Sequence, residues 1–331
     1  MLPLPMRINL NKLSPWRSVT PVALLGLCTL VSPWLTACSN ALAGPDDQRL
    51  IVVTTGHIHD AVASILEGTD IELKLLCGPG VDPHSYSAST RDVLAMQRAE
   101  VVVYNGFHLE AQLSDVLDRQ AFAVKAWSMA SAFPIENRLD WIEDGEVDAS
   151  APIDPHIWND LDGWSTCVTE LATHLGTVFP GNAALFVENG TAYVAAIREA
   201  DQWAGEILAQ LPESRRVLVS GHDAFNYFAR SYGLETIAVL GVGNDPEADL
   251  RTMRIVAETV SERQVPVIFL ESITNPKLTR ALKESCESRG WDVKIADEPL
   301  YSDDLGDMEP VDTFLGAFRT NVATIASALG G

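Results

Sequence analysis

The sequence predicts an α/β protein with two small α/β lobes, each with a central, mainly parallel sheet, bridged by one long α-helix. Two observations lead to this fold class. Short buried-type runs alternate with helical patterns in both halves of the chain, which is typical of βαβ units. Between the halves, apolar residues recur at helical spacing from Phe186 to Leu211 and form one stripe over about seven turns.

The predicted elements follow one another in regular order. The predicted strands are 50–54, 71–76, 101–104, 217–219, 236–240, 267–270 and 293–295. Besides the long helix, the predicted helices are about 61–66, 90–98, 164–179, 225–232, 250–262, 277–289 and 313–329. Pro180-Gly181 and Pro212 interrupt the helical pattern. They delimit an N-terminal metal-binding lobe at 49–180, a linking helix at 181–212 and a C-terminal metal-binding lobe at 213–331.

The first 37 residues have the pattern of a secretory leader. They are basic, contain no Asp or Glu, and include an apolar stretch from Pro21 to about Val31. The stretch is followed by Leu35-Thr36-Ala37-Cys38, a lipobox whose Cys38 thiol would receive a lipid. An ordinary signal peptide that happens to hold a cysteine is the alternative. We therefore expect an extracytoplasmic lipoprotein, in the periplasm or on the outer face of the cytoplasmic membrane, with 38–48 as a tether.

Charge and cysteine content narrow the possible functions. The net charge is −22, and removing a leader that carries +3 leaves −25. Such a negative field repels phosphates and argues against nucleic acid as a partner. Cys77, Cys167 and Cys286 remain after the leader and Cys38, an odd number without paired spacing, so we expect buried thiols rather than a disulfide framework.

Three of the seven histidines lie in settings that suit a metal site. His84 and His156 each end an Asp-Pro-His tripeptide, in which proline stiffens the loop that presents the imidazole. His222 follows the predicted strand 217–219, and ligands bind at the carboxyl ends of strands in open α/β sheets. We expect packing or surface roles for the other histidines, which are His57, His59, His108 and His174.

Carboxylates can complete such a site in two ways. One can orient a metal-bound imidazole through its second ring nitrogen, and the candidates are Asp82, Asp154 and Glu271. Another carboxylate can be the fourth ligand of the metal, and six Asp or Glu residues near the ends of the last predicted strands are candidates. These are Glu271, Asp297, Glu298, Asp303, Asp304 and Asp307.

Seven segments together carry a resemblance to a known family. They are Gly78–Tyr86, Tyr104–Gly106, Asp154–Trp158, Gly221–Phe228, Tyr232–Leu234, Phe269–Ser272 and Leu300–Asp303. In this order they resemble the zinc- and manganese-binding solute receptors of ABC importers, the TroA-like and ZnuA-like family. The resemblance covers the chain from Leu50 to Leu329.

The resemblance implies a ligand set and a mode of action. The ligands would be His84 and His156 from the N-terminal lobe and His222 and Asp303 from the C-terminal lobe, with the metal between the lobes. A rigid linking helix would limit hinge opening, so that release depends on local shifts in the C-terminal lobe. The implied partners are an ABC permease and its ATPase, and we expect the receptor to be a monomer.

The expected ion is Zn²⁺, with Mn²⁺ as the alternative. Three imidazoles and one carboxylate suit zinc, whereas manganese prefers more oxygen ligands. In the family, a Glu in place of the third histidine is typical of manganese receptors, so His222 favours zinc. The stretch 140–155 is acidic but lacks the histidines often found in a long loop of the family's zinc receptors.

Two other functions are compatible with parts of this pattern. In a zinc hydrolase, the three histidines would hold a catalytic ion and Asp303 would act as the general base. The chain lacks a metallohydrolase motif such as His-Glu-x-x-His, so we predict a receptor rather than an enzyme. A metal-bearing adhesin with a role in cell adhesion would share the lipoprotein architecture, and the sequence leaves this alternative open.

Overall fold

The structure is a computed structural model that describes residues 49–117, 119–123, 125–141, 152–241 and 250–330. The predicted leader at 1–37, its lipidation site Cys38 and the tether at 38–48 lie outside these ranges. So does most of the acidic stretch, at 142–151. None of the described helices is long and apolar enough to span a bilayer.

The N-terminal half contains a four-stranded, fully parallel sheet in the order β2-β1-β3-β4. Its strands are β1 Leu50–Val53, β2 Glu72–Leu75, β3 Val101–Tyr104 and β4 Ala126–Ser128. Strand β1 is buried along its whole length and β3 along most of it, as expected for apolar runs covered on both faces. Strand β4 was not predicted, because its three half-buried residues are too few to form a pattern.

Within the described ranges, five α-helices precede the linking helix. They are α1 Gly56–Ile65, α2 Thr90–Arg98, α3 Ser114–Leu117, α4 Gln120–Ala123 and α5 Leu161–Val178. Helix α1 begins earlier than predicted, because the Thr55 side chain caps it by accepting a hydrogen bond from the backbone N–H of Ile58. His57 and His59 therefore lie within this helix.

The predicted long helix is present as α6, Ala183–Leu208, with 26 residues. Its predicted apolar stripe is the packed face, since Phe186, Ile197, Ala200 and Ala204 are all buried. The helix packs along α5 and also contacts α1.

The described residues of the C-terminal half form short parallel strands and four α-helices. The strands are β5 Val217–Ser220, β6 Glu235–Ala238, β7 Val267–Ile268 and β8 Lys294–Ile295. The helices are α7 Asn226–Tyr232, α8 Leu250–Glu262, α9 Pro276–Glu287 and α10 Phe314–Gly330. Strand β5 pairs with β6 and β7 with β8, and the backbone N–H of Phe269 donates to the carbonyl of Val219, joining the two pairs.

One apolar core runs through both halves. Helix α10 belongs to the C-terminal half, yet it packs on α6 and on α1. The ring of Phe314, at its start, contacts His57 of α1 and lies near Trp164 of α5. The lobe limits 49–180 and 213–331 stay a prediction, but the shared core fixes the carboxyl ends of the strands of both halves around one site.

Candidate metal centre

His84 reaches the site from the irregular segment between β2 and α2. Within its Asp-Pro-His tripeptide, Asp82 accepts hydrogen bonds from the backbone N–H of His84 at 2.8 Å and from the hydroxyl of Ser85 at 2.9 Å. The carboxylate thus fixes the backbone of the loop, as short polar side chains do in turns. His84 is buried, with 7% of its surface exposed.

His156 is held by the second Asp-Pro-His tripeptide. Asp154 accepts from the backbone N–H of His156 at 3.0 Å and lies 2.7 Å from its ring Nδ1. The other oxygen of Asp154 accepts from the side-chain amide of Asn226, and its carbonyl accepts from the hydroxyl of Tyr227. Helix α7 of the C-terminal half therefore holds Asp154 in place, and Asp154 in turn orients the His156 ring.

His222 lies two residues beyond the end of β5 and is held by Glu271, which lies beyond the end of β7. One oxygen of Glu271 accepts from the backbone N–H groups of Gly221 at 2.7 Å and His222 at 2.9 Å. The other lies 2.5 Å from Nδ1 of the His222 ring, at ion-pair distance. Both side chains are buried, so this carboxylate fixes the orientation of the imidazole.

Asp303, in the loop between β8 and α10, completes the cluster. One of its oxygens lies 3.2 Å from Nε2 of His84 and 3.2 Å from Nε2 of His222. The other lies 3.4 Å from Nε2 of His156. Each of the four residues offers one ligand atom, and these atoms all lie within 4.8 Å of one another.

Five buried acceptor atoms face one another in this cluster. The three Nε2 atoms and both oxygens of Asp303 have no hydrogen-bond partner within the described part of the chain. Because the Nδ1 atoms of His156 and His222 face carboxylates, a proton is expected on each Nδ1, so that each Nε2 can offer its lone pair to a cation. Buried lone pairs without donors are costly unless a cation binds between them, so the donor set fits a metal ion.

The carboxylates also set the charge of the cluster. Burial alone lowers the pKa of His222, but Glu271 and Asp303 raise it well above its ordinary value. Burial alone raises the pKa of Asp303, but His222 and His156 bring it well below its ordinary value. Without a cation in the centre, Glu271 and Asp303 thus favour a proton on Nε2 of His222, and an ion that binds there would replace that proton.

The other candidates for a fourth ligand lie elsewhere. Glu271 binds the far side of His222 and not the centre. Asp304 is buried but turns toward Gly80 and Ser272. The remaining candidates are exposed at the surface: Asp297, Glu298 and Asp307.

The other histidines do not join the cluster. His57 is buried and stacks on Trp158 with ring centroids 4.5 Å apart, and burial lowers its pKa to about 3. His174 stacks on Trp127. His59 is partly buried and His108 is exposed, so the predicted packing and surface roles fit all four histidines.

Sequence reasoning missed the residues that link the two halves beside the ligands. The indole N–H of Trp158 donates to the carbonyl of Ser302, and the side-chain amide of Asn159 donates to the carbonyl of Ala224. Trp158 lies in one of the segments that carry the family resemblance, but its residue type alone gives no sign of an acceptor 144 residues away.

The chain is similar to known proteins over nearly all of its length. The family profile described as "ZnuA: Zinc-uptake complex component A periplasmic" matches residues 51–328. The zinc-binding protein TroA of Treponema pallidum is 36% identical over 91% of this chain and 97% of its own. The manganese-binding lipoprotein MntA of Bacillus subtilis is 34% identical over 89% of this chain and 95% of its own.

Solved structures agree with the predicted fold class. The periplasmic zinc-binding protein TroA of Treponema pallidum superposes with a TM-score of 0.80 at 35% identity, covering 85% of this chain and 99% of that one. Fe(III)-bound YtgA from Chlamydia trachomatis superposes with a TM-score of 0.76 at 28% identity, covering 86% and 99%. The α/β two-lobe fold is thereby confirmed. The chain belongs to the ZnuA family, whose members are solute-binding receptors and not enzymes.

Proposed function

We propose that this protein is an extracytoplasmic receptor that binds one divalent transition-metal ion, zinc in the first place, and delivers it to an ABC importer. The observation that carries the proposal is a set of five buried nitrogen and oxygen atoms from His84, His156, His222 and Asp303, which face one another and have no hydrogen-bond partner among the described residues. A cation between them would satisfy all five at once.

The donor set favours zinc. Imidazole nitrogens and a carboxylate bind zinc at about 2.0–2.2 Å. Ligand atoms that lie within 4.8 Å of one another need only a small contraction to share such an ion. Manganese is the alternative, and the similar proteins are named for zinc, manganese and iron, so the ion must be determined by measurement.

In this proposal, two carboxylates orient the imidazole ligands and a third binds the ion itself. Asp154 and Glu271 hold the Nδ1 sides of His156 and His222, so the opposite nitrogens are presented to the ion. Asp303 supplies negative charge directly opposite the three rings. Because each half of the chain contributes two ligands, the ion would hold the halves together while it is bound.

Delivery requires the receptor to stay near its importer. In this proposal, the leader at 1–37 directs export, and a lipid on Cys38 holds the protein at the membrane surface through the tether at 38–48. The monomer would then meet an ABC permease and its ATPase. Support comes from the lipobox at Leu35–Cys38 and from MntA, a relative named as a lipoprotein.

The test is calorimetric titration of the metal-stripped full chain with zinc and, separately, with manganese. We expect one ion per chain and a higher unfolding temperature, since a ligand at 100 times its Kd stabilises by about 2.7 kcal/mol. His222→Ala and Asp303→Ala should lose both effects, while His174→Ala, which lies on Trp127 outside the cluster, should keep them. If neither ion binds the wild type, the proposed function is wrong.

A further inference from the structure

Asp304, the neighbour of Asp303, links two segments that carry the metal centre. It is buried, with 4% of its surface exposed. One carboxylate oxygen accepts a hydrogen bond from the backbone N–H of Gly80 at 2.8 Å, and the other accepts from the hydroxyl of Ser272.

The two donors come from opposite sides of the site. Gly80 lies in the N-terminal segment that presents His84, and the two residues are 4 positions apart in the chain. Ser272 directly follows Glu271, which holds His222. The Asp304 carboxylate therefore connects the segment that presents His84, in one half, to the segment that holds His222, in the other.

The other side of Asp303 is also held by the N-terminal half. The carbonyl of Ser302 accepts from the indole N–H of Trp158 at 3.0 Å, and Trp158 lies two residues beyond His156. The stacked ring of His57 packs against this indole. The short segment 302–304 is thus fixed at both ends, with the predicted ligand in its middle.

We propose that Asp304 is a positioning residue that clasps the His84 segment and Ser272 together, keeps Asp303 facing the three imidazoles, and thereby slows release of the bound ion. This inference rests on the proposed function. For the ion to leave, Asp303 must move away from the imidazoles, and that movement breaks or strains the hydrogen bonds of Asp304. The clasp therefore acts on the release rate more than on capture.

The test is stopped-flow release of zinc from the loaded full chain into excess chelator. Asp304→Ala loses both hydrogen bonds, so we expect release at least about tenfold faster. Asp304→Asn can rescue the rate to within about threefold, because its carbonyl can accept from Gly80 while its amide donates to the Ser272 hydroxyl. Ser272→Ala removes one arm only and should lie between the wild type and Asp304→Ala.

Asp307→Ala is the matched control, since this carboxylate lies on the same loop but is exposed. It should release zinc at the wild-type rate. A second readout is the visible absorption of bound Co²⁺, which should change in Asp304→Ala because Asp303 is displaced, and should not change in Asp307→Ala. A general loss of folding would instead lower the unfolding temperature of the metal-free variant.

The outcomes separate the clasp from the proposed function. If the wild type takes up zinc and Asp304→Ala releases it at the wild-type rate, the clasp is wrong and the receptor function stands. If Asp304→Asn is as fast as Asp304→Ala, charge and not hydrogen bonding is responsible, and the clasp is again wrong. If the wild type takes up no zinc, the proposed function itself fails, and the clasp fails with it.

Discussion

Two tripeptides of the same sequence have different roles in the proposed metal centre. In both, the aspartate accepts a hydrogen bond from the backbone N–H of its histidine, at His84 and at His156. Asp154 also binds the ring of its histidine, because Asn226 and Tyr227 of the other half hold it in place. The sequence predicts the shared local turn, but the second role depends on a contact some 70 residues further along the chain.

At the same scale, Glu271→Gln should weaken zinc binding by about 10- to 100-fold, as is typical when a carboxylate behind a metal-bound imidazole is lost. The amide keeps the size of the side chain but cannot match the carboxylate that lies 2.5 Å from Nδ1 of His222. Chelator competition at neutral pH measures the Kd. Glu298→Gln, an exposed change of the same kind, should leave it unaltered. Equal affinities for all three proteins would show that Glu271 does not orient the ring.

At the scale of elements, helix α2 depends on one well-connected carboxylate. Asp92 and Ser89 form a capping box at its start. Asp92 also accepts hydrogen bonds from the hydroxyl of Tyr86 and from Lys74. Burial alone raises the pKa of Asp92, but hydrogen bonds from Ser89, Tyr86 and Lys74 bring it well below its ordinary value.

A lowered folded-state pKa stabilises the protein above the unfolded carboxyl's pKa of about 3.9, and this stability is lost as the pH falls further. Asp92→Asn should therefore lower the free energy of unfolding by about 1 kcal/mol at pH 7. The deficit should shrink as the pH falls below about 4. Urea unfolding of the metal-free protein across this range is the measurement. Asp70→Asn, the control, removes an exposed ion pair with Arg49 and should change the free energy of unfolding little at any pH. A loss of stability in Asp92→Asn that did not depend on pH would contradict the expectation.

The contact between α5 and α6 offers a matched pair of glycines within one helix. A Cβ at Gly190 would lie 2.8 Å from the Cβ of Ala172, whereas a Cβ at Gly205 would meet nothing within 4 Å. Gly190→Ala should destabilise the fold by about 1–3 kcal/mol through overpacking. Gly205→Ala should stabilise it by about 0.5–1 kcal/mol through helix propensity. Denaturant unfolding of both variants tests this, and a gain in stability at Gly190 would refute the close packing.

The elements differ in how far the sequence could predict them. Helix α6 was predictable because its stripe from Phe186 onward repeats over many turns and so outweighs any single residue. Strands β7 and β8 were predicted too long, at 267–270 and 293–295, because pairing beyond Ile268 continues only as an isolated bridge between Glu271 and Leu300. Apolar runs show that a segment is buried, whereas its end is decided by the loop that follows it.

At the scale of the whole molecule, the four residues of the proposed centre come from four distant points of the chain. The sequence predicts three histidines at loops and strand ends, and the family resemblance selects Asp303 from six carboxylates. Its neighbour Asp304 turns to Gly80 and Ser272 instead. Which of two adjacent aspartates faces the centre depends on the path of the loop, and that path is set by contacts with both halves.

The shared core predicts local rather than global opening. Helix α6 is packed against α1, α5 and α10, so hinge motion about it would disrupt much of the core. Zinc binding should therefore slow amide hydrogen exchange at 300–306 while leaving exchange along α6 unchanged. Hydrogen-exchange mass spectrometry of the metal-free and loaded protein measures both regions. A large change along α6 would contradict this and indicate hinge opening between the halves.

The most direct test of the metal centre is anomalous X-ray diffraction from crystals of the zinc-loaded protein, recorded on both sides of the zinc absorption edge. We predict one anomalous peak among His84, His156, His222 and Asp303, about 2.0–2.2 Å from the ring Nε2 atoms and from the Asp303 carboxylate. Crystals of Asp303→Ala grown the same way should show a weaker peak or none. A strong peak elsewhere, or none at the four residues in the wild type, would contradict the proposed site.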